Sequence, residues 1–142
     1  MKFKFSLASV LRVREHQEKL QKQKLAEEVS KKKDINELRE KVQMKLENYL
    51  QDARTAEAEN IHLIRRRSRH MQQVHQHMNK LTGELEKAEV VVVKEREKLA
   101  TAHKNRHILE KVREFEHQLF AKKLSQDEQK FMDEIATQTS GR

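Results

Sequence analysis

The chain has no cysteine, no proline and no tryptophan, and in 142 residues its only glycines are Gly83 and Gly141. Without cysteine there is no disulfide, no thiol nucleophile and no thiolate metal site, which suits a reducing compartment. Without proline, and with almost no glycine, few points can break a helix or build a tight turn. Aromatic residues make up 4%, one Tyr and five Phe, too few to fill a wide interior. No run approaches the roughly 20 apolar residues of a membrane span. The start, Met1-Lys2-Phe3-Lys4-Phe5, is followed by a short apolar stretch from Leu7 to Leu11 and then by Arg12 and Arg14, with no small-residue cleavage site, so it does not read as a signal peptide. These absences predict a soluble, cytoplasmic chain with no stable membrane insertion.

What is present is charge and period. Charged residues make up 38% and apolar residues 35%, too lean for a compact core but enough for a narrow seam between helices. A 4-3 apolar spacing runs through Leu7, Leu11, Leu25, Ile35, Val42, Leu46, Tyr49, Ala53 and Ala56. Polar residues interrupt it at Arg14, Glu18, Gln21, Glu28, Lys32 and Arg39. A second stripe runs through Ile64, Met71, Val74, Met78, Leu81, Leu85, Ala88, Val92, Leu99, Ala102 and Leu109 and on to Phe120. The phase breaks at Glu57-Ala58-Glu59-Asn60-Ile61, where Asn60 is the best turn residue or N-cap.

The pattern predicts an all-α fold, a long two-helix antiparallel coiled-coil hairpin over 1–142. Helix 1 is expected over about 6–57, the turn over about 58–61 and helix 2 over about 62–137, the longer second helix overhanging at the C-terminus. Ser6 is the expected cap of the first helix, with Phe5 and Val10 as a hydrophobic staple. A turn near residue 59 sets residue i opposite about 119 − i, places Leu11 near Ile108, and leaves α-helical residues beyond about 113 unpartnered on a hairpin roughly 75 Å long. That overhang carries Phe115, Leu119, Phe120, Leu124, Phe131, Met132 and Ile135, which implies another protein. One continuous helix that dimerises has the same seam pattern.

The net charge of +8 is uneven. Residues 1–57 hold 14 basic and 10 acidic side chains, residues 58–82 hold 5 and 1, and residues 83–142 hold 12 and 12. The densest run, Arg65-Arg66-Arg67-Ser68-Arg69, is either a solvated hairpin tip or a contact for an anionic surface. No aromatic is interleaved to stack a base, which counts against nucleic acid. His103 and His107 share a helix face, with His16 at a similar height in the hairpin, but exposed polar positions explain them better than zinc, and no metal or other cofactor is expected. Val90-Val91-Val92-Val93 is costly in a helix and reads as a tolerated weak spot or a partner contact. A glycine-rich phosphate loop, a convergent catalytic triad and a cavity are all missing from the pattern, so no enzyme is expected.

Two terminal motifs go further. The opening Phe3-x-Phe5-x-Leu7-x-x-Val10-Leu11-x-x-Arg14-x-x-x-Glu18, with Leu109-Glu110-Lys111, Phe120 and Met132-Asp133-Glu134-Ile135-Ala136 near the end, resembles the flagellar export protein FliJ family. The specific part is about thirty residues; the heptads between would fit any coiled coil. The resemblance implies a hairpin similar to the central-stalk subunit of rotary ATPases, acting as a non-enzymatic component of flagellar type III protein export. Its implied partners are the hexameric export ATPase, the cytoplasmic domain of the membrane export gate, and substrate chaperones that it escorts. Its implied place is cytoplasmic, peripheral at the inner membrane through the export apparatus. For the ATPase the implied contacts are Phe3, Phe5, Leu7, Leu11, Arg14, Phe131, Met132 and Ile135. For the gate they are Leu46, Tyr49, Met71, Val74 and Met78. Some relatives open the second helix with aromatic-Gln-Gln-aromatic; here Met71-Gln72-Gln73-Val74 lacks both rings, and Tyr49, opposite Met71 by the expected register, is a candidate to supply one. A stalk protein of a virulence-type secretion system or of a rotary ATPase has the same pattern, and a basic nucleic-acid-binding coiled coil is the reading from another class.

Overall fold

In a computed structural model of the chain, residues 2–55 and 60–141 are described. Two helices account for nearly all of them: α1, Ala8–Thr55, and α2, Ile61–Ser140. Their lengths of 48 and 80 residues follow from the missing helix breakers. Even Gly83 stays helical, and Val90 to Val93 do not interrupt α2. Of the expected turn, residues 58 and 59 lie outside the described residues. Asn60 caps α2: its carbonyl accepts from the amides of Leu63 at 3.0 Å and Ile64 at 3.2 Å, and its Oδ1 accepts from the amide of His62 at 3.4 Å.

The start of α1 differs from the sequence expectation. Ser6 does not cap the helix. The Leu7 carbonyl takes the first helical bond, from the Leu11 amide at 2.9 Å, and the Ala8 amide donates to the Phe5 carbonyl at 3.3 Å. The Ser6 hydroxyl donates instead to Glu116 Oε1 at 2.7 Å, and its amide to Glu116 Oε2 at 3.4 Å. A carboxylate from α2 therefore stands at an N-terminus whose own first turn holds no acid, where the helix dipole favours negative charge. Sequence spacing could not find a partner 110 residues away.

The chain divides into two compact units, residues 1–21 with 99–142, and residues 22–98. In each, α1 and α2 pair antiparallel. In the first, Ser6 meets Glu116 and Glu18 meets Arg106. In the second, Lys24 meets Glu95 at 3.5 Å, Lys32 meets Glu89, and Tyr49 meets His70. These pairings within one chain fit the hairpin and not the extended dimer. The register at the Tyr49 end agrees with the expected one, but toward the N-terminus it runs a few residues further along α2. Leu11 is buried and lies by Arg113, while Ile108 is half exposed beside Val10 and Arg14.

The seam itself keeps the 4-3 spacing, and the polar interruptions belong to it. Arg14, Gln21, Glu28, Lys32 and Arg39 are half-buried in line with Leu25, Ile35, Val42 and Leu46, and Glu18 is fully buried. The apolar core is thin: Leu11, Leu81 and Val92 are the buried apolar residues among those described. Of the four valines Val92 alone is buried, which offsets part of the rotamer cost of that run.

Candidate functional site

The end of the hairpin where α1 begins is closed by side chains from the N-terminal segment. The Phe3 ring packs edge-on against His117, with centroids 4.9 Å apart, and tilted against Phe120 at 5.6 Å. Phe3, Phe5, Ala8, Leu11, Arg12, Glu15 and Arg113 line one shallow hollow there. α2 is thus covered as far as Phe120, not only to about residue 113 as the register had predicted, because residues 3–6 continue along it ahead of α1.

One buried carboxylate fixes the seam behind this hollow. Glu18, 4% exposed, accepts from Arg106 Nε on one oxygen and lies 3.0 Å from His103 Nδ1 on the other. Arg106 also donates to Glu110 Oε1 at 2.5 Å. Its guanidinium pKa is raised above an already high ordinary value, first by the hydrogen bond to Glu18. His103 Nδ1 is also 3.1 Å from Arg106 Nη2. A guanidinium only donates and a carboxylate only accepts, so that nitrogen serves Glu18 when it carries a proton and Arg106 when it does not. His103 and His107 stack with centroids 6.2 Å apart. Among the described residues no group of three His, Asp or Glu side chains can hold a metal ion, and His16 does not join the other two.

Beyond Phe120 every described residue of α2 is exposed. Leu124, Phe131 and Ile135 recur at helical spacing on one face with Phe120, and Met132 borders them. Phe131 and Met132 are each 63% exposed. The eight candidate ATPase contacts therefore divide by position. Phe131, Met132 and Ile135, with Leu7, are open, while Phe3, Phe5 and Arg14 are half-buried and Leu11 is buried in the chain's own seam. Leu124 belongs with the open set.

In the second unit a groove of about 350 Å³ runs between α1 and α2, lined by Leu38, Val42, Lys45, Leu46, Tyr49, His70, Val74 and His77. Three of the five candidate gate residues, Leu46, Tyr49 and Val74, lie in it, while Met71 and Met78 are half-buried on the seam. Tyr49 packs edge-on against His70, the residue before Met71, with centroids 5.0 Å apart. Leu38, Lys45, His70 and His77 were not foreseen in the groove. They flank the seam stripe rather than belong to it, a position in the heptad that was the signal for them. In the basic run Arg67 is half-buried and partnered, and Arg65, Arg66 and Arg69 are exposed.

Among the described residues no helix is long and apolar enough to cross a membrane. The geometry defines a class: a helical hairpin with a thin, ion-paired seam and a bare amphipathic helix end. The family described as flagellar FliJ protein matches residues 3–142, and the chain belongs to it. It is thereby a flagellar export-related protein of a non-catalytic family. Curated proteins and solved structures yield no match.

Proposed function

We propose that this chain is a coupling and escort component of the flagellar type III export apparatus, working at the cytoplasmic face of the inner membrane. Its bare end of α2 docks on the hexameric export ATPase through Phe131, Met132 and Ile135, with Leu7 beside the hairpin end and Phe3, Phe5, Leu11 and Arg14 holding the base of the arm. Its groove side, with Leu46, Tyr49, Met71, Val74 and Met78, meets the cytoplasmic domain of the export gate. Unloaded substrate chaperones are the third class of partner. A helical arm held in a ring favours some subunit states over others, and so promotes ATP hydrolysis without performing chemistry.

The observation that carries this reading is the exposure of Leu124, Phe131, Met132 and Ile135 on the end of α2, which no element among the described residues covers. The test is stimulation of the purified export ATPase by Phe131→Ala and Ile135→Ala. The expected outcome is a loss of at least about tenfold in the concentration dependence of stimulation, equal to about 1.4 kcal/mol per variant, with helicity unchanged. Full stimulation by both variants would remove this docking site.

A further inference from the structure

The groove in residues 22–98 has a chemistry that selects its occupant. Its floor is apolar, from Leu38, Val42, Leu46, Tyr49 and Val74, and its rim is Lys45, His70 and His77. Among the described residues no carboxylate lines it. The sequence of α2 from Ile61 to Gly83 contains no Asp or Glu, but four arginines, one lysine and four histidines. One position after Leu38, where the α1 wall of the groove begins, Arg39 is half-buried with its Nε buried and unpartnered among the described residues, a donor without an acceptor. Elsewhere on these helices cations meet acids, as Lys32 meets Glu89, and Lys24 and Lys98 meet Glu95. Here the ammonium of Lys45 and the ring N–H donors of His70 and His77 meet no carboxylate among the described lining residues.

Resting on the reading that this side of the hairpin meets the export gate, we infer that the groove takes a short amphipathic segment of a partner protein whose apolar face is flanked by carboxylates. From Leu38 to Tyr49 the α1 wall is about 16 Å long by the helical rise, three turns. An aliphatic or aromatic anchor fills the floor beside Leu46 and Val74, and Asp or Glu on the segment's edges meets Lys45, His70 and His77. Apolar contact supplies the affinity, and the charge rim supplies orientation and rejects basic segments.

The test uses the full chain and two synthetic helical peptides of about 14 residues, identical in their leucine face and carrying Glu or Lys on the flanks. Calorimetric titration is expected to show the Glu peptide binding at least about tenfold more tightly than the Lys peptide, with the Tyr49 ring resonances shifting on binding. Lys45→Glu with His77→Glu, both exposed and off the buried seam, should abolish that preference. Arg65→Glu with Arg66→Glu, outside the groove, should change it less than about twofold. Equal binding of both peptides, or an equal loss from the Arg65 and Arg66 reversal, overturns the inference. So does a dimer of the chain alone that Leu38→Asp disrupts, which would give the groove to a second copy. The purified gate domain separates the two readings. If it binds but ignores Lys45→Glu with His77→Glu, the carboxylate chemistry fails and the gate reading survives. If the Glu peptide fills the groove and the gate domain does not bind, the reverse holds.

Discussion

Two stretches of α2 carry much the same apolar spacing and meet opposite fates. From Leu99 to Phe120 the stripe is covered, first by α1 and then by residues 3–6 of the chain. From Ala121 to Ser140 it is bare. An amphipathic helix face is a request for a neighbour, and nothing in the spacing says whether that neighbour is local. The difference lies in what reaches it: the Phe3 ring and the Ser6 hydroxyl mark the last points at which this chain answers its own helix. Stability should reside in the first stretch and recognition in the second.

The largest test of that division substitutes one apolar residue from each. Leu11→Ala, in the covered end, removes a side chain 5% exposed, and an unfilled cavity there should cost about 2–5 kcal/mol. Phe131→Ala, a larger truncation at 63% exposure, should stay within about 0.5 kcal/mol of wild type. Thermal melts of both variants by circular dichroism measure the contrast. A Phe131→Ala chain that melts as early as Leu11→Ala would mean that the bare stretch is covered in solution after all.

Next in size is Glu18. Glu18→Ala takes from Arg106 its buried carboxylate partner and opens a gap at a seam position, so the melting temperature should fall clearly, though less than for Leu11→Ala. Glu18→Leu together with Arg106→Leu should recover most of that loss, since well-packed apolar replacements of a buried ion pair are often neutral. What the double variant should lose is register. Spin labels at His16 and Lys104 should then report a broader distance distribution than in the wild type. An unchanged distribution would show that apolar packing alone sets the alignment.

A third step is Phe3→Ala, which removes the ring covering His117 and Phe120. Protection of α2 amides against hydrogen exchange should retreat toward the α1-covered region, while the global melt shifts by only about 1 kcal/mol or less, because Phe3 is half-buried and lies at the frayed end of the pair. Protection that ends at the same residue as in the wild type would assign the boundary to Ser6 and Glu116 instead.

The sequence made the helices, their antiparallel pairing and the Asn60 cap legible, because each rests on local spacing or local hydrogen bonds. It marked Arg14, Glu18, Gln21, Glu28, Lys32 and Arg39 as interruptions of the seam, yet the spacing held through them. A charged residue at a seam position is read as exposed until its partner across the seam is known, and for Glu18 His103 and Arg106 lie 85 and 88 residues away. The same distance hid Ser6. For the candidate contacts, the tail residues were legible as apolar groups without a local partner. The groove rim was not, since Lys45, His70 and His77 acquire meaning only when α1 and α2 are side by side.

The smallest effect belongs to the half-exposed cross-helix pair that is most easily compared with Glu18. The Glu89 carboxyl is held below its ordinary value of 4.5, first by the hydrogen bond from Lys32 and further by the charges of Lys32 and Arg96, with partial desolvation opposing. A carboxylate with a lowered folded-state pKa contributes stability that is fully present above its unfolded value and is lost as the pH falls through the folded one. Lys32→Met should therefore melt slightly below wild type near neutral pH, and the two curves should converge in acid well below pH 4.5. Salt should shrink the neutral-pH gap, because this pair is open to solvent and screened. The gap for Glu18→Ala, measured at the same salt concentrations, should persist, since that carboxylate sits where counterions do not reach. Equal salt sensitivity of the two gaps would mean that the buried and exposed pairs of this seam are not different in kind.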